Sequence, residues 1–113
     1  MLQFPNIQIN NDKTIVSPFS EEVIKIIQAI PAGKVASYGR VALIAGNPRG
    51  ARQVSRILHT CTKKYNLPWH RVINSQGKIS LKNEGFELQY VLLKSEGIEF
   101  WLTNTIDLNK FGI

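Results

Sequence analysis

The sequence predicts a mainly α-helical single domain of the winged helix-turn-helix type, with a small β-hairpin wing and a C-terminal helix. Three observations carry this expectation. Apolar residues recur at helical spacing through much of the chain, and a Gly-containing turn separates two short helical stretches, the second bearing a row of arginines. After Pro68 the pattern changes to short apolar pairs around a turn. At 113 residues the chain suits one core, burying roughly two-thirds of its extended surface. Its 43% apolar and 19% charged residues are those of a globular protein rather than a disordered one.

The expected layout is an N-terminal arm over 1–16, one folded domain over 17–100 and a C-terminal tail over 101–113. The first helix lies in "SPFSEEVIKIIQAIPAG". Ser17 can cap it, Pro18 suits its first position, Glu21 and Glu22 favour its positive end, and Pro31 with Gly33 stop it. Phe19, Val23, Ile26, Ile27 and Ile30 form its apolar face. In "SYGRVALIAGNPRGARQVSRILHTC", Ser37 caps a short helix through Val41, Leu43, Ile44 and Ala45. Gly46-Asn47-Pro48 closes that helix and starts another. Ala51, Val54, Leu58 and Cys61 mark the inner side of this next helix, and Arg49, Arg52 and Arg56 the outer. "RVINSQGKIS" reads as the wing, pairing Val72-Ile73 with Lys78-Ile79. "NEGFELQYVLLKSEG" reads as a helix with Phe86, Tyr90 and Leu93 inward and Gly97 as its stop. "IEFWL" adds a short strand.

The net charge is +6, and its distribution says more than its size. From Pro31 to Lys82 there are ten basic residues and no acidic one, while all eight acids lie outside that stretch. Such a segment carries a positive field suited to a polyanion. No run reaches the ~20 apolar residues of a membrane span, and the N-terminus lacks a signal-peptide pattern. A soluble, cytoplasmic, monomeric protein is expected. Cys61 is the sole cysteine, and His59 and His70 are too isolated for a zinc site, so no disulfide, metal or cofactor is expected.

The segments "SYGRVALIAGNPRGARQVSRIL", "LPWHRVINSQGKIS" and "SEGI" follow one another at a spacing that resembles the C-terminal domain of O6-alkylguanine-DNA alkyltransferases, over about residues 17–100. Members that transfer alkyl groups carry Pro-Cys-His-Arg, whereas this chain has Pro68-Trp69-His70-Arg71. That difference is similar to the pattern of the alkyltransferase-like subgroup. Alkyl transfer needs a soft nucleophile activated by a base, in the family a cysteine linked through water to a histidine and a glutamate. The resemblance puts these last two at His70 and Glu96. An indole has no thiol to ionise and only an N–H to donate, so the chain is expected not to be an enzyme, and His70 and Glu96 to hold the shape of the site.

The resemblance implies a lesion pocket of Tyr38, Trp69, His70, Arg71, Val72, Lys82 and Glu96. There Trp69 packs against an extruded base; its plainer use is as a core aromatic. Arg52 matches an arginine finger that fills the vacated stack, with a phosphate contact as its alternative. Tyr38 matches a tyrosine that crowds the flipped nucleotide's phosphate; otherwise it is a helix-start aromatic. Lys82 either sits over a purine ring or is a solvated wing residue. Arg49, Gln53, Ser55, Arg56, Lys34 and Arg40 are expected at the DNA backbone. Ser55-Arg56 replaces a Gly-Gly common in the family, and Cys61 stands where Asn is frequent.

The implied activity is recognition of double-stranded DNA containing O6-alkylguanine, by base flipping without transfer, marking it for nucleotide excision repair proteins. The alternatives are an active alkyltransferase using Cys61 and a sequence-specific winged-helix regulator reading the major groove.

Overall fold

The computed structural model describes residues 17–113; the expected arm over 1–16 lies outside the described residues. The elements are α1 (Pro18–Gln28), β1 (Ala36–Ser37), α2 (Tyr38–Ile44), α3 (Ala51–Tyr65), a single 3-10 turn (Trp69–Arg71), β2 (Val72–Ile73), α4 (Asn83–Ser95) and α5 (Leu108–Phe111). The mainly helical class is as expected, with one two-stranded parallel sheet.

Helix starts follow side-chain chemistry. Ser17 Oγ accepts from Ser20 N at 3.1 Å and Ser37 Oγ from Arg40 N at 3.0 Å, each satisfying an amide that a first turn leaves without a partner. α3 begins at Ala51 rather than at Pro48, capped by Gly50. A Cβ on Gly50 would meet the Phe19 ring at 2.8 Å and Asn47 at 3.1 Å. Glycine at this position leaves room for the close approach of the α2–α3 turn to the Phe19 ring of α1, which a larger residue would push aside. α1 ends at Gln28 with Ala29 as its C-cap, before Pro31, and Ile30 is buried beyond it.

Two cores result. Val23, Ile27, Val41, Val54 and Leu58 from α1–α3 form the first; Ile79, Leu93, Ile98, Ile106 and Phe111 form the second. The sheet stands between them, and the two-residue period of a strand sends Ala36 and Val72 to the first core and Ile73 to the second.

The expected wing hairpin does not form. Val72–Ile73 instead pairs in parallel with Ala36–Ser37, in the register Ala36 to Val72 and Ser37 to Ile73. Burial decides this: Val72 and Ile73 are both inaccessible, as a strand covered on two faces must be, and an outlying wing cannot supply that. What remains of the hairpin is an Asn74-centred turn. Asn74 N donates to Lys78 O at 2.9 Å, and Asn74 Oδ1 accepts from Gln76 N and Lys78 N. Gly77 in this turn lies against Ile106, whose N donates to Gly77 O at 2.8 Å.

The "IEFWL" strand is likewise reduced to one antiparallel bridge, Phe100 to Ile106. Residues 101–113, expected as a tail outside the domain, carry Ile106 and Phe111 into the second core. Val35 N donates to Phe111 O at 2.9 Å and Ile113 N to Val35 O at 3.0 Å, so the chain end runs beside β1. The apolar residues of this stretch are spaced too irregularly to signal that packing.

Candidate nucleic-acid interface

The outer side of α3 and the turn before it expose Arg49, Arg52, Gln53 and Arg56. None of these arginines has an ion-pair partner among the described residues. Arg52 is the second residue of α3, at the edge nearest the α2–α3 turn. Lys34 and Arg40 lie elsewhere. Lys34 Nζ donates to Lys110 O and Arg40 Nε to Ile113 O, both at 3.2 Å, which ties them to the chain end.

A cavity of about 330 Å³ opens beside this face. The register of β1 on β2 brings the start of α2 next to the Trp69–Val72 stretch, so Tyr38, Trp69 and Val72 line it together. α3 adds Ser55, Leu58, His59 and Thr62, and Leu81 with Gln89 completes the lining. Tyr38 Oη lies 3.4 Å from Ser80 Oγ. The lining mixes apolar and aromatic walls with a few polar atoms, the make-up of a pocket for a flat organic group. Trp69 packs on the first core and meets the His70 ring edge-on, with centroids 6.0 Å apart at 81°.

His70, Arg71 and Glu96 do not line this cavity; they fix the turn that presents Trp69. Glu96, at the end of α4, accepts from His70 Nε2 at 2.8 Å and from Arg71 Nε and Nη2 at 3.0 and 2.7 Å. Arg71 Nη1 donates to Ile30 O at 2.8 Å, joining the end of α1 to the same cluster. The Arg71 hydrogen bonds, helped by His70, hold the Glu96 carboxyl down at about 2, against the opposing effect of burial. Its bonds to Glu96 in turn raise Arg71 above its ordinary value. A second clamp is Gln89, 3% exposed on α4, whose Nε2 donates to His70 O at 2.9 Å and Val72 O at 3.1 Å.

Tyr38, Trp69 and Val72 thus meet in one cavity, while His70, Arg71 and Glu96 form the support beside it. Lys82 is exposed just before α4, and its neighbour Leu81 takes the place in the lining. Ser55, expected at the backbone, lines the cavity. Leu58, His59, Thr62, Leu81 and Gln89 were not among the expected site residues. Two signals were present: Ser55, His59 and Thr62 follow helical spacing on one side of α3, and Gln89 is a polar residue at an inward position of α4. Cys61 packs against the first core and is not among the cavity's lining residues. Among the described residues no group of three His, Cys, Asp or Glu side chains is placed to hold a metal. None of the described helices is long and apolar enough to cross a membrane.

A helix-turn-helix with a basic second helix, beside a cavity built around the Pro68–Arg71 turn, defines a DNA-binding domain equipped to receive a group from its nucleic acid. The chain belongs to the family described as the 6-O-methylguanine DNA methyltransferase, DNA binding domain, which it matches over residues 18–98. It is 44% identical to the DNA base-flipping protein of Vibrio parahaemolyticus, over 82% of this chain and 93% of that protein. It is 39% identical to alkyltransferase-like protein 1 of Schizosaccharomyces pombe, over 76% of this chain and 82% of that one. Its structure is similar to that of S. pombe Atl1 in complex with damaged DNA containing O6-carboxymethylguanine. That match has a TM-score of 0.73 and 35% identity, over 84% of this chain and 94% of the other.

Proposed function

We propose that this protein is a non-enzymatic sensor of alkylated DNA. The observation that carries the reading is Trp69, which lines the cavity at the position of the family's nucleophile while the His70–Arg71–Glu96 support remains assembled. The indole offers a stacking surface and no group to accept an alkyl carbon. Cys61 offers no substitute, because it does not line the cavity.

In this reading the arginines at the start of α3 dock the protein on duplex DNA, by family resemblance in the minor groove. Arg49 and Arg56 meet phosphates and supply salt-sensitive affinity without sequence choice. Lys34 and Arg40, expected at the DNA backbone as well, would reach it from positions tied to the chain end. Arg52 enters the stack as an O6-alkylguanine rotates into the cavity, past Tyr38. Extrusion costs a few kcal/mol, and stacking on Trp69 returns about 1–3 kcal/mol, with Arg52 supplying the remainder. The protein acts as an intracellular monomer without metal or cofactor, and the complex marks the damage for nucleotide excision repair proteins. The major-groove regulator would instead show base-specific discrimination on undamaged DNA, and a sequence-selection experiment returning no consensus would count against it.

The test is affinity at physiological salt for two duplexes that differ only by one O6-methylguanine. Tighter binding to the modified duplex is expected, by about tenfold or more; equal affinities would remove lesion sensing and leave a plain DNA binder.

A further inference from the structure

The base cavity has a neighbour. A second, wider cleft of about 670 Å³ runs along the far side of Trp69, and His59, Thr62 and Trp69 line both spaces. Those three side chains form the boundary between them. Lys63, Asn66 and His70 face the outer cleft, and no acidic side chain lines either space.

The hydrogen bonds sort the polar groups at this boundary. Thr62 Oγ1 donates to Leu58 O at 2.6 Å, and the Gln89 amide nitrogen serves the His70 and Val72 carbonyls. His70 is held by Glu96. At the boundary that leaves two donors toward a group entering from the base cavity, the His59 ring and the Trp69 indole N–H, and His59 is the one set on α3 beside a cation. Lys63 lies one helical turn further along the same side of α3.

We infer that His59 is a specificity-determining residue that selects O6 substituents bearing a hydrogen-bond acceptor beyond their first carbon. The inference rests on the sensor reading above. A methyl group ends inside the base cavity and touches apolar wall. A longer substituent runs past Trp69 toward the outer cleft, where an apolar end would desolvate the imidazole without pairing it. A carboxylate end accepts from His59 and lies in the field of Lys63, and charge-assisted bonds of this kind are the stronger ones.

The probes are three otherwise identical duplexes with unmodified guanine, O6-carboxymethylguanine or O6-n-propylguanine, the last an apolar counterpart of similar reach. The wild-type protein is expected to prefer carboxymethyl over propyl by about tenfold. His59→Leu should bring that ratio to about one, and His59→Gln, which keeps a donor, should retain most of it. His59 is exposed on the middle of α3, so both variants should fold. No carboxymethyl preference in the wild type, or one that survives in His59→Leu, would overturn the assignment to His59. Failure of both adducts to bind better than unmodified duplex would instead sink the sensor reading itself.

Discussion

The support of the Trp69–Arg71 turn and the outer side of α3 are both rich in charge, and they are built in opposite ways. At the turn, Glu96 accepts three hydrogen bonds from His70 and Arg71, Arg71 spends its remaining arm on Ile30, and Gln89 holds two carbonyls. On α3, Arg49, Arg52 and Arg56 have no ionic partner among the described residues. Partly buried charges left unpaired destabilise a fold, so the first region is closed within the molecule. Exposed arginines cost little and await a polyanion. The contrast separates residues that keep the site in shape from residues that use it, and each variant below acts on one side of it.

The largest effect is expected from Glu96→Ala, which leaves Arg71 and His70 facing an empty place. Loss of about 3 kcal/mol of stability is expected, on the order of 15 °C in Tm, measurable by thermal unfolding. The same group sets an acid limit. Its carboxyl titrates near 2 in the fold against an ordinary 4.5. The stabilisation is therefore complete above about pH 4.5 and disappears as pH falls towards 2. It amounts to about 3 kcal/mol from the separation of the two values. Glu96→Gln should unfold with a flatter pH dependence in that window; an unchanged profile would mean that Glu96 does not couple to folding.

Gln89→Leu comes next. It keeps the size but leaves the His70 and Val72 carbonyls without their donor, at a cost of about 2 kcal/mol. Lesion affinity should fall with stability, since these carbonyls belong to the turn that presents Trp69. A variant as stable as the wild type would show that the turn does not depend on the Gln89 amide.

Substitutions on the open side should leave the unfolding free energy within about 0.5 kcal/mol of the wild type. Arg52→Ala is expected to weaken binding to an O6-methylguanine duplex by about tenfold and to plain duplex far less. Arg56→Ala should lower both affinities equally, by a smaller factor, and reduce the salt dependence by about one phosphate contact. Equal losses for Arg52→Ala on both duplexes would place Arg52 among the phosphate contacts and blur the comparison.

How far the sequence alone reveals this arrangement differs between its parts. The helices of the first core announce themselves through caps and spacing, because Ser17, Ser37 and the apolar rows act locally. The parallel pairing of Val72–Ile73 with Ala36–Ser37 joins residues 36 positions apart in register, which no local pattern encodes. Val72-Ile73 and Lys78-Ile79 around a Gly-closed turn look the same locally whether they pair with each other or with something distant. In the site, Trp69 was legible from its motif. Gln89 was less so, since its value lies in two carbonyls that only the folded chain brings to it. His59 likewise appears as an isolated histidine until α3 places it beside Trp69.

Holding an alkylated base and reacting with it are separated by saturating the protein with an O6-methylguanine duplex, then recording the intact mass of the protein and the base composition of the recovered DNA. An unchanged protein mass and fully retained O6-methylguanine are expected of a sensor. A protein heavier by one methyl group, with guanine restored in the DNA, would make it a transferase instead.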